Sequence, residues 1–130
     1  MYRSIALCLL LFNLTAVAHE MTPTYPTWDR TAHDGIKKVT MSLWNSRKDV
    51  QYYEIGVFTK DFEESVPFVT LYSILKVEYL SHVEFDVYMT EESIKRAVYI
   101  CSLSKLRSND DSKPLLATQI CSKFKRALEL

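Results

Sequence analysis

Alternating apolar and polar residues between positions 50 and 80 predict two strands joined by an acidic loop. In the first strand Tyr53, Ile55 and Val57 alternate with polar or small residues, which is typical of a half-buried strand. The second strand carries its apolar side chains on one face, namely Val69, Leu71, Leu75, Val77 and Tyr79. The loop ends in the sequence ESVPF at positions 64–68, where a proline interrupts the alternation. The pattern therefore predicts a long β-hairpin.

A different spacing of apolar residues, every three to four positions, predicts one amphipathic helix before this hairpin. The apolar positions are Ile36, Val39, Thr40, Leu43 and Trp44. Two lysines, Lys37 and Lys38, fall on the opposite side of the same helix. Residues 19–28 contain two prolines and show no periodicity, so we expect a flexible N-terminal arm there.

Beyond the hairpin the pattern favours further strands. Residues 83–89 alternate cleanly between apolar and polar types, while residues 94–103 fit a strand or a helix and their β-branched content favours a strand. Residues 107–114 read as a loop, and residues 115–121 as a last short strand. Together these elements predict an α+β fold with one α-helix packed on a four- to five-stranded antiparallel β-sheet.

The first 18 residues have the features of a secretory signal peptide. Arg3 precedes an apolar run that is too short to span a bilayer, and the run ends in the small residues Ala16 and Ala18. An uncleaved membrane anchor is the alternative interpretation. Cleavage predicts a secreted domain over residues 19–130 with no membrane span.

Charge makes a nucleic-acid partner improbable on the sequence evidence. The sequence has 16 basic and 16 acidic residues, and removal of residues 1–18 takes away only Arg3, which leaves a net charge of −1. No basic stripe survives this balance, so we expect no nucleic-acid binding.

The remaining candidate chemistry is sparse. Cys101 and Cys121 are the cysteines left after cleavage, and in a secreted chain they favour one disulfide, with free, metal-bound or intermolecular cysteines as alternatives. The three histidines lack metal-ligand spacing, and the paired glutamates sit in loops with no pocket implied. We therefore expect no enzymatic activity, no metal site and no cofactor.

The order of these elements resembles that of a secreted cystatin. Residues 35–39, GIKKV, look like the opening of the cystatin helix, and residues 44–46, WNS, are similar to its end. The spacing of Cys101 and Cys121 fits the second disulfide of that family. The resemblance implies an inhibitor of cysteine proteases that acts through protein–protein contact. The partner it implies is a papain-like cysteine protease or another extracellular protein.

The resemblance also implies where such an inhibitor would make contact. The inhibitory loop corresponds to Glu64, Ser65, Val66, Pro67 and Phe68, in which the family's Gln-x-Val-x-Gly pattern is degenerate. One alternative is a non-inhibitory cystatin relative, such as those of the reproductive tract, that binds another partner or associates with itself. A small-molecule carrier is the other alternative.

Overall fold

The computed structural model describes residues 19–105 and 117–125, and strands account for most of them. The strands are β1 (His19–Thr22), β2 (Asp29–Arg30), β3 (Ile36–Asn45), β4 (Tyr52–Phe58), β5 (Val69–Thr70), β6 (Ile74–Lys76), β7 (Ser81–Thr90), β8 (Tyr99–Lys105) and β9 (Gln119–Lys123). One short helix, α1 (Glu91–Arg96), lies between β7 and β8. Buried and exposed side chains alternate along the long strands, so each strand turns one face to a shared interior.

These strands form two antiparallel sheets. Sheet 1 has the order β1-β3-β7-β5, with β2 also paired to β3, and sheet 2 has the order β6-β4-β8-β9. The longest pairing joins β3 to β7 from Ile36 opposite Thr90 to Asn45 opposite Ser81. Buried apolar residues of both sheets form a single cluster that includes Leu43, Val87 and Ile100. The architecture is a β-sandwich.

The predicted α+β fold, with one helix on a sheet, is therefore wrong. The segment expected to be that helix is strand β3, in which Val39, Met41, Leu43 and Asn45 are buried while the residues between them are only partly covered. The same letters satisfy both periods, because apolar or β-branched residues occupy nearly every position from 39 to 44. Val, Thr and Trp all favour strands, and ten residues of pairing with β7 decide the outcome.

The ambiguous region after β7 divides into two elements. Residues 91–96 form α1, whose first turn is capped by the Thr90 hydroxyl as it accepts a hydrogen bond from Ser93 N at 3.3 Å. The strand expected over residues 94–103 begins only at Tyr99. Within the described part of the chain, α1 is the sole helix, and no helix there is long and apolar enough to cross a membrane.

The remaining predictions concern the two ends of the chain and the loop before the last predicted strand. The N-terminal segment that we expected to be a flexible arm begins as β1, which pairs with β3 from His19 opposite Asn45 to Thr22 opposite Ser42. The last strand of the described residues, β9, begins at Gln119, whereas the prediction was a strand over residues 115–121. The signal peptide of residues 1–18 and the whole loop at residues 107–114 lie outside the described residues.

The chain crosses from one sheet to the other along both lateral sides of the sandwich. After β1, residues 24–26 run beside the C-terminal end of β9, where Lys123 N donates to Thr24 O and Lys125 N to Pro26 O, each at 3.1 Å. On the opposite side, the chain leaves sheet 1 after β5 and joins sheet 2 as β6. The second crossing opens the feature described next.

Candidate interaction surface

Part of strand β7 lacks a neighbour on one side. β7 pairs with β3 along its whole length, whereas β5 covers it only at Val87 and Tyr88. No other strand among the described residues pairs with positions 81–86, which we call the open edge. Thr70 shows that the Asp86 carbonyl points to the unpaired side of β7, because the Thr70 hydroxyl donates to Asp86 O at 2.8 Å. Peptide groups alternate between the two sides of a strand, so those of Glu84 and His82 also point towards the open edge.

The open edge lies in an apolar groove with a volume of about 710 Å³. Phe85 and Leu75, both buried, belong to its lining, together with the partly buried Val83. The crossing segment supplies Val69, Leu71 and Tyr72, whose side chains are 68%, 85% and 64% exposed. An exposed group of large apolar side chains beside unpaired strand backbone is the kind of surface that proteins use to bind one another.

The sheet crossing explains why these apolar residues are exposed. Their alternation predicted that Val69 and Leu71 share a face with Leu75 and Val77. In the structure Leu75 and Val77 are buried and Val69 and Leu71 are not. The chain changes sheets between Thr70 and Ile74, so the two halves of the predicted strand belong to different sheets and no longer share a face.

The outer side of the open edge is acidic. Glu84 is exposed and Asp86 is partly covered, and both contribute to the groove. One oxygen of the Asp86 carboxylate accepts a hydrogen bond from the Thr40 hydroxyl. No lysine or arginine in the described part of the chain forms an ion pair with either carboxylate.

The proposed inhibitory loop does not form a protruding tip. Val66 is only 1% exposed and belongs to the core, and its N–H donates to Val57 O at 2.8 Å. Phe68 packs against the same core. Ser65 forms an isolated bridge with Phe58, and Glu64 makes an ion pair with Arg96 at 2.8 Å. Pro67 is exposed, but the residues around it are tied to sheet 2 and α1.

A group of three aromatic residues, of which Phe62 is exposed and Phe58 and Tyr99 are partly covered, lies on the outer face of sheet 2. The Phe62 ring stacks on Tyr99 with centroids 4.6 Å apart and lies 6.0 Å from Phe58. Much of the apolar area of these rings is therefore already in mutual contact. The groove beside β7 differs because it adds unpaired backbone to uncovered apolar side chains.

Sequence reasoning gave no sign of a buried polar network around His19, at the start of β1. His19 is fully buried, and its Nε2 lies 2.8 Å from Ser102 Oγ and 3.2 Å from Ser102 O. A carbonyl can only accept, so Nε2 carries the ring proton and Nδ1 accepts from the Thr118 hydroxyl at 3.2 Å. Arg47 donates to the same hydroxyl at 3.3 Å and also donates two hydrogen bonds, of 2.6 and 2.9 Å, to the Asp49 carboxylate.

This environment shifts several pKa values. Burial lowers the pKa of His19 below its ordinary 6.5, a hydrogen bond to the Ser102 carbonyl opposes the change, and the Arg47 charge adds to it. The hydrogen bond from Arg47 lowers the pKa of Asp49. Burial raises the pKa of Tyr53 to about 12. His19 and Tyr53 lie in the interior, and Asp49 is exposed but engaged by Arg47, so these groups bear on stability more than on contact with a ligand.

The two cysteines of the described residues are bonded to each other. Cys101 and Cys121 face each other on β8 and β9 and form a disulfide with an S–S distance of 2.05 Å. Within residues 19–105 and 117–125, no three His, Cys, Asp or Glu side chains are grouped so that they could hold a metal ion.

Comparison with known proteins gives matches through structure alone. No family model matches the chain, and no curated protein matches its sequence. The Escherichia coli chaperone DraB superposes with a TM-score of 0.59 at 12% identity, covering 83% of this chain and 53% of the chaperone. A structure of the Salmonella enterica SafA pilin in complex with the SafB chaperone gives 0.58 at 12% identity, covering 82% and 52%. The PapD-like domain 7 of human CEP192 gives 0.47 at 11% identity, covering 98% and 99%.

These likenesses correct the cystatin interpretation. The chain spans about half the length of the two chaperone structures, and both superpose on its β-sandwich. The interpretation of this chain as a cystatin-type protease inhibitor is therefore wrong, and so are the inhibitory roles that the resemblance implied. The non-inhibitory cystatin relative and the small-molecule carrier gain no support from these likenesses. What the two chaperone structures show is the fold alone, a β-sandwich of two antiparallel sheets.

Proposed function

We propose that this chain is a protein-binding module that takes up an extended segment of a partner protein at the open edge of β7. The observation that carries the proposal is the unpaired backbone of positions 81–86 beside exposed Leu71 and Tyr72. Addition of a strand to such an edge supplies main-chain hydrogen bonds, and apolar side chains that enter the groove supply burial.

Two further considerations support a binding role. The S. enterica structure contains a SafB chaperone that has this type of sandwich and is bound to a pilin, which is a partner protein. Natural sheets usually protect a long edge with charges, proline or a covering segment. Here the described residues supply a two-residue strand over part of β7 and two carboxylates, Glu84 and Asp86, and they leave the backbone of positions 81–86 unpaired on one side. An edge that no described strand covers, next to exposed apolar side chains, is suited to the addition of a strand from a partner.

The place of action that we propose is outside the cell. Residues 1–18 have the pattern of a secretory signal, and the Cys101–Cys121 disulfide is a bond typical of oxidising compartments. The partner in this proposal is accordingly an extracellular or secretory-pathway protein.

A backbone-specific variant tests the proposal. In Glu84→Pro the N–H that points to the open edge is lost, whereas the pairing with β3 does not use that group. Glu84→Ala removes the same side chain and keeps the N–H, so the difference between the two variants isolates the backbone. The probe is a capped peptide of about six residues, the length of a typical strand, with valine and serine in alternation.

Binding is followed by amide chemical shifts and hydrogen exchange. We expect the peptide to shift and protect the amides of His82 and Glu84 in the parent protein, and to bind Glu84→Ala more tightly than Glu84→Pro. Leu71→Asp is expected to weaken binding, whereas Tyr25→Asp, at an exposed aromatic residue outside the groove, serves as its matched control. Equal affinity of the proline and alanine variants, or shifts confined to other strands, would refute the proposal.

A further inference from the structure

The chemistry of the open edge restricts which segment can occupy it; this step rests on the proposed function. A strand added beside β7 places the residues opposite Val83 and Phe85 on the inner side, where the groove is apolar. Residues opposite His82, Glu84 and Asp86 fall on the outer side. The occupant must therefore alternate between two kinds of side chain, as any strand between a core and solvent does.

The outer side chains of the occupant meet negative charge. Glu84 is exposed, and one oxygen of Asp86 is already engaged by Thr40, which leaves the other to accept from a partner. Glu20 on β1 carries a further carboxylate on this face but lies two strands away from β7, and Lys38 on β3, opposite Tyr88, carries a positive charge on the same face. Glu84 and Asp86 are therefore the carboxylates nearest to the incoming strand. Lysines or arginines at alternate positions of the incoming strand complement this face, and glutamates there repel it.

From this charge pattern we infer that the partner segment is an extended strand with apolar residues at alternate positions and Lys or Arg between them. A second copy of this chain is a poor occupant, because β7 would bring its own Glu84 and Asp86 against the same acidic face. Like charges opposite each other destabilise a strand pair. The edge therefore favours a partner segment with basic and apolar residues, and it disfavours pairing with a second copy of β7.

Three peptides test the inference. Each is capped, about six residues long and carries valine at alternate positions, with lysine, serine or glutamate between the valines. We expect the lysine peptide to bind about tenfold more tightly than the serine peptide, because its lysines form exposed ion pairs with Glu84 and Asp86. The glutamate peptide should bind most weakly, because its carboxylates repel the same two residues. Added salt should narrow these differences.

Variants assign the preference to the edge. Glu84→Gln is expected to reduce the advantage of the lysine peptide, and Glu84→Lys to transfer it to the glutamate peptide. Glu63→Gln removes an exposed carboxylate outside the groove and should leave the order unchanged. Thermal unfolding of each variant verifies that the fold is retained.

The outcomes separate this inference from the function on which it rests. Equal affinity of the three peptides at the open edge overturns the charge preference and leaves the binding role intact. A lysine preference that persists in Glu84→Lys also overturns it, because the charge would then be read elsewhere. Failure of all three peptides to bind the edge overturns both proposals. Dimerisation of the chain through β7 would show that a second copy is the occupant and overturns the inference as well.

Discussion

Asn45 and Tyr53 are joined by a 2.6 Å hydrogen bond that links β3 of sheet 1 to β4 of sheet 2 inside the sandwich. The Asn45 amide also donates to Val50 O at 2.7 Å and to Val77 O at 2.9 Å, and its oxygen accepts from Arg47 N at 2.8 Å. One fully buried side chain therefore satisfies four polar groups that belong to different segments.

Replacement of Asn45 should be among the most damaging single changes in the described core. Asn45→Ala leaves several buried polar groups without partners, and we expect the free energy of unfolding to fall by about 3 to 5 kcal/mol. Tyr53→Phe removes only one of these hydrogen bonds and should cost about 1 to 2 kcal/mol. Urea denaturation measures both values. A loss below that of Tyr53→Phe for Asn45→Ala would contradict this account.

Acid should destabilise the protein through His19. Its pKa in the folded state lies below the ordinary 6.5, so below that pH the unfolded chain binds a proton that the folded chain excludes. The free energy of unfolding should therefore fall as pH decreases from 6.5, with a slope of at most about 1.4 kcal/mol per pH unit from this group. Asp49, whose pKa is lowered from 3.8, contributes only at more acidic pH.

His19→Gln isolates the acid effect. Between pH 7 and pH 5 the stability of this variant should depend less on pH than that of the parent protein, although it is less stable overall because the contacts with Ser102 change. His33→Gln, at an exposed histidine, is the matched control and should retain the slope of the parent. Parallel stability curves for the parent and His19→Gln would disprove the role of this ring.

The disulfide between β8 and β9 should contribute strongly to stability. Cys101 and Cys121 are separated by 20 positions, and removal of a crosslink that closes a loop of this size costs about 3 kcal/mol in the chain-entropy model. The double variant Cys101→Ala/Cys121→Ala is therefore expected to unfold at lower urea concentration with the same sheet order. Cys101 is buried, so a mild reductant should cleave the bond in the native protein slowly. A stability change within about 0.5 kcal/mol, typical of surface substitutions, would exclude this contribution.

Substitution of Val66 distinguishes a residue packed in the core from a residue at an exposed binding tip. Val66→Ala removes two buried methyl groups and should lower the free energy of unfolding by about 2 kcal/mol. Ser65→Ala, the exposed neighbour, should change it by less than about 0.5 kcal/mol. Thermal or urea unfolding of both variants provides the comparison. Equal stability of the two variants would indicate that Val66 is not packed in the core.

Residue patterns predicted strands well where one face is buried along the whole element. Tyr53, Ile55 and Val57 are buried as their alternation implied, and so are Phe85, Val87 and Met89. The pattern failed over residues 36–45, where apolar and β-branched residues satisfy helical and strand periods alike. It is pairing with distant β7 that selects the strand there, and such pairing leaves no local signal.

The candidate surface was less accessible to sequence reasoning than the fold. Leu71 and Leu75 have the same apolar character, and only the crossing between sheets separates the exposed one from the buried one. The open edge is a property of strand order, because it exists where β5 ends and β6 joins the other sheet. His19 shows the opposite case, a polar residue that is buried. Its position at the start of a proline-rich segment gave no indication of that burial.

The short strand β5 also sets a boundary on what the groove can hold. Thr70 occupies the place beside Val87 and closes the pairing side at Asp86 through its hydroxyl. A strand that pairs with positions 81–86 cannot slide past this point, and a slip by one residue would exchange its two faces. In the proposed binding mode, the bound segment has to end or bend away at Thr70. The length and the register of that segment would then limit binding, in addition to its charge.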